Sequence, residues 1–147
     1  GEINESGRLS GGPKYRLGDS DVVLTQKDIR EVQLAKAAIC AGIQLMAQRL
    51  GVSLAEIAQV NIAGAFGSCL NPQSALRIGL LPWELADTPI TAVGNAAGAG
   101  ACMALRNRRA WVRAAELARD TEFLELATLP SFQDTFVDAL EFGEAGT

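Results

Sequence analysis

Two stretches of this sequence place glycines at the ends of apolar runs: Asn61-Ile-Ala-Gly-Ala-Phe-Gly67 and Val93-Gly-Asn-Ala-Ala-Gly-Ala-Gly100. Glycine has no Cβ atom, so a ligand or a second backbone can come close. Where such a turn leads from a strand into a helix, unpaired N–H groups and the positive end of the helix dipole favour an anion, typically by about 0.3–1 kcal/mol. Tight helix–sheet packing is the competing use of the same glycines. No Gly-Lys-Ser/Thr follows either stretch, so neither is a phosphate loop of the Walker kind. Neither matches the dinucleotide fingerprint, with its acidic partner about 20 residues further on.

Other residue types narrow the chemistry. The chain has no histidine, which removes the usual triads and the commonest general base. Cys40, Cys69 and Cys102 are widely spaced and form no Cys-x-x-Cys pair, so they read as small buried hydrophobes, not as zinc or iron–sulfur ligands. No catalytic residue and no metal ligand is assigned. A net charge of −4 argues against nucleic acid as a partner. The one basic cluster, Arg106, Arg108, Arg109 and Arg113, reads as a solvated helix face. No apolar run approaches the roughly 18 residues that span a bilayer, and no secretory leader opens the chain, so the expected setting is cytoplasmic, without a membrane.

The elements that must position the two turns follow from periodicity and punctuation. Gly1 before Glu2 has the form of a tag remnant, and the Gly- and Ser-rich residues 1–13 read as a linker or remnant. Two short strands are expected at 14–17 and 21–24. Thr25-Gln-Lys-Asp28 is a capping box, and Ile29, Val32, Ile39, Ile43, Met46 and Leu50 recur at helical spacing up to the stop at Gly51. Ser53-x-x-Glu56 caps a short helix. Val60–Ala65 and Pro89–Val93 read as buried parallel strands, and Asn71-Pro72 opens a helix ending near Gly79. A long helix is expected from Ala96 to Arg119, a third strand at Thr121–Leu126, and a last helix at Pro130–Leu140. Residues 143–147 read as a disordered tail. Strands alternating with helices indicate an α/β domain with a largely parallel sheet.

Four blocks, in order along the chain, carry a resemblance to a known family. Thr25-Gln-Lys-Asp-Ile-Arg-Glu-Val-Gln-Leu-Ala-Lys-Ala-Ala-Ile39 is similar to the signature helix of the ATP-dependent reductive activators of corrinoid proteins. Ala63-Gly-Ala-Phe-Gly67 with Ser74-Ala75 and Ile78-Gly-Leu-Leu-Pro82, then Gly94-Asn-Ala-Ala-Gly98 with Gly100-Ala101, then Glu125-Leu-Ala127 with Phe132-Gln-Asp-x-Phe136, resemble that family's following blocks. The resemblance covers residues 14–142.

It implies a ribonuclease-H-like lobe of the actin, sugar-kinase and heat-shock-chaperone superfamily, its largely parallel sheet flanked by helices. The implied role is the C-terminal lobe of an activator that uses ATP–Mg²⁺ to drive reduction of cob(II)alamin on a corrinoid protein of a methyltransferase system. The adenosine side of the nucleotide site would come from Gly64, Ala65, Phe66 and Gly67, supported by Gly94, Asn95 and Gly98, with Lys27 and Asp28 reaching the nucleotide or the lobe interface. The family's phosphate loop and [2Fe–2S] cysteines are missing from this sequence. The chain alone is therefore expected neither to hydrolyse ATP at a useful rate nor to transfer electrons.

Bland uses of these residues stand beside the functional ones. Phe66 suits a core as well as an adenine pocket; Asn95, Lys27 and Asp28 suit helix caps; Ser68 and Asn71 suit a turn. Trp83 and Trp111 are expected in packing or interfaces. The competing function is a protein-interaction or dimerisation module, including a homodimer, in which the glycines serve packing alone.

Overall fold

A capping box opens the longest element. Thr25 Oγ1 accepts from the Asp28 N–H at 3.3 Å, and the Asp28 carboxylate accepts from the Thr25 N–H at 2.8 Å. Helix α1 (Gln26–Leu50) follows and ends at Gly51, whose N–H reaches the carbonyls of Ala47 and Gln48. Ahead of it, β1 (Lys14–Arg16) and β2 (Val23–Thr25) pair antiparallel, with Tyr15 opposite Leu24. The computed structural model describes residues 2–142; the expected tail at 143–147 lies outside the described residues. No helix among them is long and apolar enough to cross a membrane.

The chain divides into two compact units. The first holds the residues up to Ile57, Pro72–Asp87 and the stretch from Leu126 onward. Its core is Ile29, Ala37, Ala41 and Leu45 of α1, with Ala75 and Leu76 of α3 (Pro72–Arg77), then Leu80, Leu81 and Leu85. Short 3₁₀ turns at Leu54–Glu56 and Trp83–Leu85 belong to the same unit. So does α6 (Phe132–Asp138), which packs on α1 and carries the stacked pair Phe132 and Phe136.

The buried face of α1 is not the expected stripe. Val32, Ile39, Met46 and Leu50 are exposed, while Gln33, Lys36, Ala37, Cys40 and Ala41 are buried. Small residues allow close approach, and two polar side chains go inside because both meet backbone carbonyls. Lys36 is 1% exposed; its Nζ donates to Ala139 O at 2.7 Å and to Glu141 O, and lies 5.2 Å from the Phe142 ring centre. Gln33 Nε2 donates to Leu140 O at 3.1 Å. Three successive carbonyls just past α6 are thus satisfied from α1. Residues 2–13, expected as a linker, are held on the same helix: the Gln26 amide donates to Gly7 O, and Gly7 packs against Gln33. Phe142 N–H donates to Glu5 O at 3.0 Å.

The second unit, Ala58–Asn71 and Thr88–Glu125, contains β3 (Val60–Ala63), α2 (Gly64–Cys69), β4 (Ile90–Gly94), α4 (Ala96–Arg106) and α5 (Arg108–Asp120). β3 and β4 are parallel neighbours. Two sequence expectations fail here. The single long helix breaks at Asn107, whose side chain accepts from the N–H groups of Arg109 and Ala110 at 2.9 and 3.4 Å. An asparagine that caps a new helix competes with continuation of the old one. The expected third strand at Thr121–Leu126 has no ladder partner; Phe123 is 82% exposed, and a 3₁₀ turn at Leu126–Thr128 follows.

Two predictions come from α1. Lys36→Met is expected to destabilise the chain by about 1–3 kcal/mol, read by chemical denaturation, because the Ala139 and Glu141 carbonyls lose their donor. Burial also lowers the Lys36 pKa. The unfolded state then holds this proton more tightly, so the wild-type advantage over Lys36→Met grows as pH rises from the lowered native value toward the ordinary lysine range. Hydrogen bonds from Thr25 hold the Asp28 carboxyl below its ordinary range. Its contribution is present above that range and is lost as pH falls toward the lowered native value. Asp28→Asn should therefore flatten the acid limb of a melting-temperature profile.

Candidate functional site

Both glycine turns belong to the second unit, and the parallel pairing sets their strand ends side by side. The register runs Val60 to Ile90, Asn61 to Thr91 and Ile62 to Ala92, then slips so that Ala63 faces Gly94. The ladder begins one step earlier, where the Val60 N–H donates to Pro89 O at 2.9 Å. The slip makes the two strands leave the sheet at the same level, each through a glycine with left-handed backbone, Gly64 at φ 89° and Gly94 at φ 63°. An L side chain is disfavoured in that conformation. No heavy atom stands within 4 Å of where a Cβ would project from either residue, so the space in front of both is open.

The remaining candidates divide by surroundings. Gly67 is buried, and a Cβ there would collide with the Ile62 side chain and meet its carbonyl at 3.1 Å; it packs α2 onto β3. Gly98 donates its N–H to Asn95 Oδ1 at 2.9 Å, and a Cβ would press on that amide. Asn95 therefore caps α4, and Gly98 makes room for the cap. Ala65 and Phe66 face solvent, with Phe66 67% exposed. Ser68 Oγ donates to Gly64 O at 3.2 Å, which ties the α2 turn together. Gly64, Ala65, Phe66, Gly94 and Asn95 thus form one rim above two strand ends, while Gly67 and Gly98 lie beneath it as packing positions.

Lys27 and Asp28 lie in the first unit. Asp28 is occupied by its capping box, with Thr25 Oγ1 donating to the carboxylate at 2.7 Å, and Lys27 is exposed. The first unit also carries a crevice bordered by Cys40, Trp83, Glu84 and Asp138, with Lys36 in its wall. Lys36 is engaged by carbonyls there, and burial pushes the Cys40 thiol up, so neither is a ready nucleophile. Cys69 and Cys102 are exposed, contrary to their reading as buried hydrophobes. Among the described residues no three His, Cys, Asp or Glu side chains converge as a metal site would require.

The sequence reading missed the register slip that aligns Ala63 with Gly94, and the buried Gln33–Lys36 pair. The first had no signal in residue types. The second was present as Gln33, Lys36, Ala37, Cys40 and Ala41 at helical spacing, but a lysine is ordinarily counted as solvated.

An exposed helical glycine gives a stability test. Gly100 lies in α4 with nothing near its missing Cβ, so Gly100→Ala should raise stability by about 0.5–1 kcal/mol. A lower melting temperature on calorimetry would contradict this packing account.

Comparison with known proteins adds the wider setting. The family description "C-terminal domain of RACo the ASKHA domain" matches residues 8–147. The chain is 39% identical over 124 residues to "Corrinoid activation enzyme RamQ" of Eubacterium limosum, covering 84% of this chain and 21% of that protein. A solved structure, "Reductive activator for corrinoid,iron-sulfur protein", superposes with a TM-score of 0.79 at 33% identity, covering 97% of this chain and 26% of the other. The chain thus spans about a fifth to a quarter of the length of these relatives. It belongs to the family of C-terminal ASKHA domains of the reductive activators of corrinoid proteins, which carries with it the α/β, ribonuclease-H-like fold class.

Proposed function

We propose that this chain is the C-terminal nucleotide-binding lobe of an ATP-dependent activator that reductively reactivates a cob(II)alamin corrinoid protein, and that it supplies the adenosine side of the ATP site. The observation that carries the reading is the level pair of strand ends, Ala63 beside Gly94, with open space before Gly64 and Gly94. In open α/β sheets, ligands bind at the carboxyl ends of strands. Bare backbone at Gly64 and Gly94 admits the flat face of a nucleoside, and exposed Phe66 offers an aromatic surface beside it. Asn95 fixes the start of α4, where N–H groups and the dipole favour a polar ligand edge. Lys27 and Asp28 are assigned to the lobe interface in this reading.

When bound, ATP–Mg²⁺ would supply the free energy that drives an uphill one-electron reduction of Co(II) to Co(I). Phosphate contacts, Mg²⁺ ligands and a [2Fe–2S] electron carrier are assigned to other parts of a longer cytoplasmic polypeptide, since this chain offers no cysteine set for a cluster. The chain's own work is to bind and orient the nucleoside. The second reading, an interaction or homodimerisation module, is favoured by exposed Phe66 and Val93 beside the turns.

Calorimetric titration of ATP–Mg²⁺ into the full-length protein separates the two. Binding is expected for the wild type. Phe66→Ala should weaken it about tenfold, the scale of one base-stacking contact, while leaving the melting temperature nearly unchanged, because Phe66 is exposed. Full-length protein that ignores ATP but changes mass with concentration would establish the interaction module instead.

A further inference from the structure

We propose that the basic groove at the start of α5 is a docking surface for a carboxylate-bearing protein. In the activator reading, on which this identification of the partner rests, that protein is the corrinoid protein. Arg106, Arg108, Arg109 and Arg113 are all exposed. Arg113 pairs with Glu116 at 3.1 Å, whereas Arg106, Arg108 and Arg109 have no carboxylate partner among the described residues. Arg108, Arg109, Arg113 and Val112 line one shallow groove, and Arg106 lines the next one with Met103.

The needs of the fold do not account for this placement. The break at Asn107 makes Arg108 and Arg109 the first two residues of α5, whose first turn contains no acid. Cations at that position oppose the helix dipole, which favours acidic residues there. A solvated face would be free to carry them. Instead the five arginines of the second unit outnumber its four carboxylates, giving +1 within a chain of −4. All four carboxylates, Glu116, Asp120, Glu122 and Glu125, lie on the C-terminal side of the cluster.

Guanidinium forks suit carboxylates, and Arg, Trp and Met are enriched where proteins meet. Trp111 at 62% and Met103 at 64% exposure stand beside the cluster as apolar contacts. A nucleic acid fits less well. The basic run is short, and acidic residues follow along the same helix where a phosphate backbone would continue.

The test is Arg108→Glu/Arg109→Glu in the full-length protein, with surface plasmon resonance against the cob(II)alamin corrinoid protein at low and high salt. The melting temperature of the free variant is expected to rise, because acids replace bases at a helix start. Affinity for the corrinoid protein is expected to fall at least about tenfold at low salt, with the gap closing at high salt. Unchanged affinity, with the wild type binding, overturns the docking surface and leaves the activator reading intact. A lower melting temperature also overturns it, since the arginines would then be serving the fold. So would competition by a single-stranded oligonucleotide or an anionic vesicle that the variant abolishes. Failure of the wild type to bind the corrinoid protein at all overturns the activator reading and this inference with it.

Discussion

A lysine ammonium buried against backbone carbonyls organises the first unit. Lys36 gives up its hydration and recovers it from Ala139 O and Glu141 O, with the Phe142 ring over one side. Gln33 takes the carbonyl between them. Burying a charge in an apolar place is costly unless it is hydrogen-bonded, and here the partners are carbonyls of the stretch just past α6. One helix therefore closes off another. The residues before β1 join the same arrangement through Gln26 and Glu5.

The second unit works by subtraction. Its sheet has two strands, and its most informative positions are those that lack side chains. A slip of one residue after Ile62 converts two unrelated sequence stretches into one level rim. Gly67 and Gly98 lie under that rim as packing residues and Gly64 and Gly94 at its surface. Packing and ligand approach were rival uses of these glycines. The structure gives packing neighbours to Gly67 and Gly98 and leaves open space before Gly64 and Gly94.

Much of this was legible in residue types. Thr25 and Asp28 marked the start of α1, Gly51 marked its end, and the strand–glycine junctions at Ala63 and Val93 fell within a residue or two of where they stand. What could not be read depended on phase and on competition. The buried side of α1 is set by alanines and by carbonyls about a hundred residues away, so counting large apolar residues chose a neighbouring face. Asn107 ends one helix and starts another because its amide serves as a cap, whereas punctuation by Gly and Pro alone predicts continuity. Thr121–Leu126 has strand-like composition, but a strand exists only where an edge is there to pair with it. The rim residues were nameable, whereas their level alignment was a tertiary fact.

The first unit is assembled from three separated lengths of chain, with the second unit contributed by the stretches between them. The hydrogen bond from Lys36 to Ala139 O joins positions 103 residues apart. Such topology is of high contact order, and closing so long a loop has an entropic cost before any contact rewards it. During synthesis, α1 leaves the ribosome long before Ala139 exists. Its alanine face and Lys36 must wait, solvated and unpaired, until the stretch that carries Ala139 emerges. Removal of the stretch that carries Ala139, Leu140 and Glu141 should therefore resemble a folding defect more than a lost function.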